Sequence, residues 1–137
     1  MGKFLISLVA LISAVASYFY DWNRTHIFNP KWPPHAKFHN AQTMLLGTGL
    51  GLIALYLLWL AKADPSGRIK LATILAGLYF LTQAGAILFP GTALVDREFD
   101  NGSHVPAQLI LDIVMLLMLS IGYKLEMNRI QKARSQQ

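Results

Sequence analysis

The chain has 137 residues, 54% of them hydrophobic and only 14% charged, with a net charge of +5 and no cysteine. A soluble domain carries about 25% charged residues, so the charge deficit points to lipid as the surrounding solvent. Without cysteine, disulfide frameworks, thiolate metal sites and Cys nucleophiles are all excluded. The basic residues flank apolar segments and form no basic face, which argues against a nucleic-acid partner.

The fold class expected is all-α: a polytopic membrane protein with four transmembrane helices and both termini cytoplasmic. The length suits a single domain, 1–137. The spans run from about 4 to 20, 42 to 61, 71 to 89 and 107 to 123. Each has roughly the 17–20 residues that cross a hydrocarbon core at 1.5 Å rise per residue. The first also fits a signal peptide: Lys3, an apolar run, then Ala14-Val15-Ala16 before Ser17. With Met1 at the head of the sequence, a retained span is the expectation.

Lys/Arg counting sets the orientation. One side holds Lys3, Lys62, Arg68, Lys70, Lys124, Arg129, Lys132 and Arg134; the other holds Arg24, Lys31, Lys37 and Arg97. Eight against four places the termini and the second loop in the cytoplasm. The membrane is then a bacterial inner membrane or a eukaryotic organelle membrane. The second loop, Lys62 to Lys70, is a short turn built on Asp64-Pro65-Ser66-Gly67. Beyond Tyr123 the fourth helix is expected to continue as a polar, basic extension beside anionic headgroups.

The first loop and the start of the second helix read DWNRTHIFNPKWPPHAKFHNA from Asp21 to Ala41. Pro30, Pro33 and Pro34 forbid a continuous helix there. Trp22, Phe28 and Trp32 suit an interfacial aromatic belt. Pro34 fits the first turn of the second helix, which puts His35 and His39 on one face with Gln42 a turn further on. Two His at that spacing can share a metal when a third ligand comes from elsewhere, and otherwise hydrogen-bond loop or substrate.

The fourth helix, started by Ser103 as N-cap with Pro106 in its first turn, is expected to carry His104, Gln108 and Asp112 as a second stripe. Asp112 is the only acid within an apolar segment. At that depth a carboxylate costs on the order of 2.5–3.5 kcal/mol, so it should face the bundle interior. Gln83 adds a polar side chain from the third span. Gly47, Gly49, Gly51, Gly77 and Gly85 are close-packing positions. Asp21, Asn23, Arg24, His26, Asn29, Trp32, Asn40, Gln42, Gln83 and Gln108 are therefore candidate ligand-binding residues at the non-cytoplasmic end. His35, His39, His104 and Asp112 are the catalytic candidates.

The run Asp21-Trp22-Asn23, His26, Phe28-Asn29-Pro30, Trp32-Pro33, His35-Ala36 and Phe38-His39 resembles a family of small bacterial and fungal membrane proteins of unknown function. That resemblance implies a fold and no activity. More loosely, the layout is similar to the EXPERA-domain proteins, which include sterol isomerases and the sigma-2 receptor. Those bundles have an acidic ligand cavity; here Asp112 stands where paired intramembrane acids would be expected.

Two function classes compete, with a third behind them. In the first, the polar end binds or transforms a hydrophobic small molecule, isoprenoid, sterol-like or lipid. His35, His39 or His104 would be the acid/base and Asp112 would orient a His or stabilise positive charge. With no nucleophile motif, isomerisation, hydration or dehydration fits better than acyl transfer. In the second, the chain is a non-catalytic subunit of a larger membrane complex, or a homo-oligomer. In the third, histidines build a metal or haem site. No cofactor is expected, a metal on His35 and His39 being the remaining option.

Overall fold

In the computed structural model, which describes residues 1–103 and 105–136, four helices run in chain order. They are α1 (Gly2–Asp21), α2 (Pro34–Trp59), α3 (Pro65–Ala86) and α4 (Ala107–Arg134). No strand occurs among the described residues. All four helices are long and apolar enough to cross a membrane. The shortest, α1, has 20 residues, or ~30 Å at the α-helical rise.

Each neighbouring pair packs around the bundle, α1 on α2, α2 on α3, α3 on α4 and α4 on α1. Helix α1 also reaches across to α3. The segment that doubled as a signal-peptide pattern is thus packed against all three other helices, as α3 is. The interior is partly small and polar: Ala10, Ser13, Ala54, Ala72, Ala76 and Asp112 are buried, with Ile6, Val9, Met44, Leu58 and Phe80 filling the remainder. Leu11, Leu45, Leu52, Ile53, Leu81, Ile113, Leu117 and Ile121 point outward and are exposed. A water-soluble bundle would have the large apolar residues inside. Here they form the coat, which is the distribution that lipid permits.

Two close approaches set the α1 seams. A Cβ on Gly51 would lie 2.3 Å from the Ala10 carbonyl oxygen and 2.8 Å from the Ala14 Cβ, so only glycine lets α2 lie this near α1. Beside it, Thr48 Oγ1 reaches the Ala14 carbonyl across the seam at 3.0 Å. At the α1 start a Cβ on Gly2 would meet the Gly122 carbonyl at 2.4 Å, which locks the head of α1 onto α4. The Lys3 amide then donates to Glu126 Oε2 at 3.1 Å, while Arg129 Nη2 pairs with Glu126 Oε1 at 2.6 Å. The buried Glu126 carboxylate therefore has partners for both oxygens.

Several boundaries differ from the apolar runs. Helix α2 starts at Pro34, eight residues before the apolar run, because Pro suits a first turn and the polar stretch His35–Ala41 is itself helical. The residues read as a turn before α3 are its cap and first turn. Asp64 Oδ2 accepts from the Gly67 amide at 2.9 Å and Pro65 opens the helix. Asp64 Oδ1 also takes Arg134 Nη2 at 2.6 Å, tying the α4 extension back to this loop. Helix α3 stops at Ala86 although Ile87–Phe89 is apolar. Pro90 disfavours helix before it, and Gly91 adopts φ 82°, a turn conformation.

Helix α4 begins at Ala107 with Pro106 as N-cap, so Ser103 does not cap it. Proline pushes the residue before it out of helical geometry, and the start moves to its C-terminal side. The extension past Tyr123 is helical to Arg134, as its polar pattern predicted.

Candidate functional site

At the end of the bundle where α1 and α3 finish and α2 and α4 begin, two long loops meet. Loop 22–33 is folded on itself by short-range bonds. Asn23 Nδ2 donates to the Tyr20 carbonyl at 2.6 Å, and Asn23 Oδ1 accepts from the Thr25 amide at 2.8 Å and the Thr25 hydroxyl at 2.6 Å. Asn29, fully buried, holds the Lys31 amide on its Oδ1 at 2.9 Å and extends its Nδ2 to Glu98 Oε1 at 3.0 Å. Lys31 pairs with the other Glu98 oxygen, and Trp32 Nε1 donates to Asp96 Oδ2 at 3.1 Å. The loop before α4 is thereby fastened to the loop before α2. The Lys31 ammonium and the Asn29 amide hold the Glu98 carboxyl below its ordinary value.

Beneath these loops lies a cavity of about 480 Å³. Asp21, His26 and Trp32 line it from the end of α1 and the first loop. Asn40, Thr43 and Leu46 come from α2, Tyr79, Thr82 and Gln83 from α3, and Gln108 and Leu109 from α4. Ile87, Thr92 and Leu94 close it from the third loop. Polar side chains come from all four helices and both loops, and leucine, isoleucine and alanine side chains complete the wall. The volume falls in the range of small-molecule sites.

The chemistry of the cavity centres on Asp21 and His26. Asp21 Oδ2 accepts from Asn40 Nδ2 at 3.1 Å, and Asp21 Oδ1 stands 3.8 Å from His26 Nε2. The bonds of the loop assign the ring. Asn23 Oδ1 takes the Thr25 hydroxyl proton, so the Thr25 oxygen has only lone pairs left for His26 Nδ1, 2.7 Å away. Nδ1 is therefore the donor, which leaves Nε2 turned toward Asp21. Trp32 packs edge-on against the imidazole at a centroid distance of 5.0 Å and fixes its plane.

Of the other sequence candidates, His35, His39 and Gln42 form a separate chain on the exposed side of α2. His39 Nδ1 lies 3.1 Å from Gln42 Oε1, and His39 Nε2 lies 3.1 Å from His35 Nε2. They do not line the cavity, so the α2 histidine face and the α4 stripe do not share it. Among the described residues, no three His, Asp or Glu side chains gather as a metal site. Arg24 is exposed on the loop. Asn23 and Asn29 build the loop rather than line the cavity. His104 lies outside the described residues. Asp112, one turn below Gln108, is fully buried among the helices, and neither of its carboxylate oxygens has a hydrogen-bond partner among the described residues.

Sequence reasoning passed over the third loop and the threonines of the cavity. The third loop did carry a signal: Asp96, Glu98 and Asp100 are acids on the same side as Arg24, Lys31 and Lys37. Opposite charge on two loops at one membrane face is a reason for them to meet.

A family model matches residues 5–137, nearly the whole chain. The chain belongs to the family of unknown function DUF6640. As a DUF6640 member it has a fold and a layout to share with relatives, and membership assigns no reaction. No curated protein and no solved structure matches the chain.

Proposed function

We propose that this DUF6640 protein binds a hydrophobic small molecule, of isoprenoid or lipid type, in the cavity between its two long loops, and exchanges a proton with it through the Asp21–His26 pair. The observation that carries the reading is the cavity itself: apolar and polar side chains from all four helices and two loops, with a carboxylate and an imidazole side by side. His26 Nε2 is the proton-exchanging atom, and Asp21 orients and stabilises the protonated ring. Isomerisation or hydration and dehydration suit such a pair, since they need proton transfer and no covalent nucleophile. In this reading His26 takes the acid/base role that spacing suggested for His35 and His39.

The same proposal places both termini in the cytoplasm, on the eight-to-four Lys/Arg asymmetry, and the cavity on the opposite side. A polar head is then taken at the interface while the apolar body enters from the bilayer.

Native mass spectra of the protein released from mild detergent, with farnesol as probe, test the reading. A one-to-one adduct is expected for the parent and its loss for Ala86→Trp, which fills the cavity and removes no polar group. An adduct that survives the plug, or no adduct at all, overturns it. A stable larger assembly without adduct makes the chain a subunit of a membrane complex instead.

A further inference from the structure

The hydrogen-bonding inventory of the cavity is lopsided. Thr43 donates its hydroxyl proton to the His39 carbonyl at 3.0 Å, Thr82 to the Leu78 carbonyl at 2.8 Å, and Thr92 to the Phe89 carbonyl at 2.8 Å. Each hydroxyl has a single proton, so what these three side chains retain for a guest is lone pairs. Trp32 has its one N–H committed to Asp96. Asn40 has one N–H on Asp21 and keeps a second, while its Oδ1 has no partner among the described residues. His26 has its Nδ1 proton on Thr25. Asp21 is a carboxylate and accepts. Gln83, Gln108 and Tyr79 are the polar lining groups with a free choice of donating or accepting. No Lys or Arg stands among the described residues that line the cavity.

A site with that balance discriminates by chemistry. A carboxylate or phosphate head brings acceptors and negative charge to a wall that already includes the Asp21 carboxylate, with no Lys or Arg to receive it. An ether or ketone brings acceptors alone and can use only the N–H groups of Asn40, Gln83 and Gln108. A hydroxyl uses both sets: it donates its proton to the acceptors of the wall, and its lone pairs take an N–H from Gln83 or Gln108. A protonated amine also donates, but Asp21 is already engaged by Asn40 and faces His26.

We infer that the guest of this cavity is an apolar molecule with an uncharged hydroxyl head, recognised through the proton it donates to the acceptor-rich polar cap. The inference rests on the cavity being a ligand site and names the head group that such a site takes. It explains why three threonines at the cavity are turned to their own backbone: they present oxygen without competing for an acceptor. A head that cannot donate leaves these acceptors without a proton from the guest, so the site favours one that can.

The test uses one carbon skeleton with four heads. The protein in phosphatidylcholine nanodiscs is offered farnesol, its methyl ether, farnesoic acid and farnesylamine in pairwise competition, read by native mass spectrometry. Farnesol is expected to exceed the methyl ether by about tenfold, the value of one hydrogen bond of ordinary strength, and to exceed the acid by more. Thr82→Val, which removes an acceptor and no donor available to the guest, should narrow the alcohol-to-ether ratio while binding of the ether is unchanged. Equal binding of all four heads overturns the hydroxyl assignment and leaves the cavity reading standing, as does preference for the ether, acid or amine. Absence of binding by every probe overturns the cavity reading itself. Because the head-group ratios are measured on the parent protein, the assignment stands or falls even if a variant fails to fold.

Discussion

Replacing Asp112 with Val separates a residue kept for architecture from one kept for another purpose. The carboxyl is fully buried among the helices, in the second turn of α4, and neither oxygen has a partner among the described residues. Insertion scales put an acidic residue at about 2.5–3.5 kcal/mol at a helix centre and at less this near a helix start, and here no bond offsets the cost. Valine is close in size. Its helix propensity and slightly different shape cost ~1 kcal/mol. The net expectation for Asp112→Val is a gain of about 1–2 kcal/mol. Asp112→Asn keeps the shape and leaves an amide equally unpartnered, so it should move stability by less than ~1 kcal/mol. Reversible unfolding of the purified protein by SDS titration, followed by circular dichroism in mixed micelles, reads both. A loss of stability for Asp112→Val would refute the reasoning, because it would mean the carboxyl is a structural hydrogen-bonding group. A gain in stability joined to a loss of ligand retention identifies it as a functional group held at the expense of the fold.

The glycines of α2 give a matched pair. Gly51→Ala forces α1 and α2 apart and should cost about 1–3 kcal/mol, whereas Gly49→Ala, with nothing within 4 Å of the new Cβ, should gain up to ~1 kcal/mol; equal effects in the same unfolding assay would refute the seam. For Glu98 the folded-state value is lowered from 4.5, so its contribution is complete above that pH and is lost as pH falls through the folded value. The stability difference between the parent and Glu98→Gln is accordingly expected at neutral pH and should close in acid, and a difference that widens in acid would show the sign to be wrong. C-terminal reporter fusions should be active in the form that reads the cytoplasm; activity only on the other side inverts the assignment of the cavity.

The four helices were legible because lipid leaves a coarse record: long Leu-rich runs broken by prolines and charges at intervals near a membrane thickness. That the first loop is more than a plain connector was legible as well: it and the start of α2 carry three His, three Asn and three Pro, and Asn23 and Asn29 tie it to α1 and to Glu98. The aim of the helices was not. His35 and His39 do share a face, but spacing fixes only their mutual position, and the phase set by the start at Pro34 turns that face outward. Asp21 and His26 are five apart across a helix end, a separation with no regular geometry, so only the folded loop brings them together. The acceptor threonines were invisible for a related reason. A threonine in an apolar run reads as tolerated, and whether it donates to its own backbone depends on its rotamer.

The two ends of the bundle are built for opposite tasks. Where α1 starts, Gly2 and Gly122 bring backbones into direct contact, Glu126 is satisfied on both oxygens, and Arg134 reaches back to Asp64. Nothing there can open without separating packed backbone. At the other end the helices are held apart by loops, and the ties between those loops are side-chain contacts through Asn29, Lys31, Trp32, Asp96 and Glu98. Exposed ties of this kind are weak individually and exchange with water. Under the proposed function, entry of a guest requires that the loop contacts yield while the glycine seams hold the opposite end fixed. Most of the recognition groups, Asp21, Asn40, Thr43, Thr82, Gln83 and Gln108, then sit on helices anchored by those seams, and only His26, Trp32 and Thr92 sit on the loops that yield.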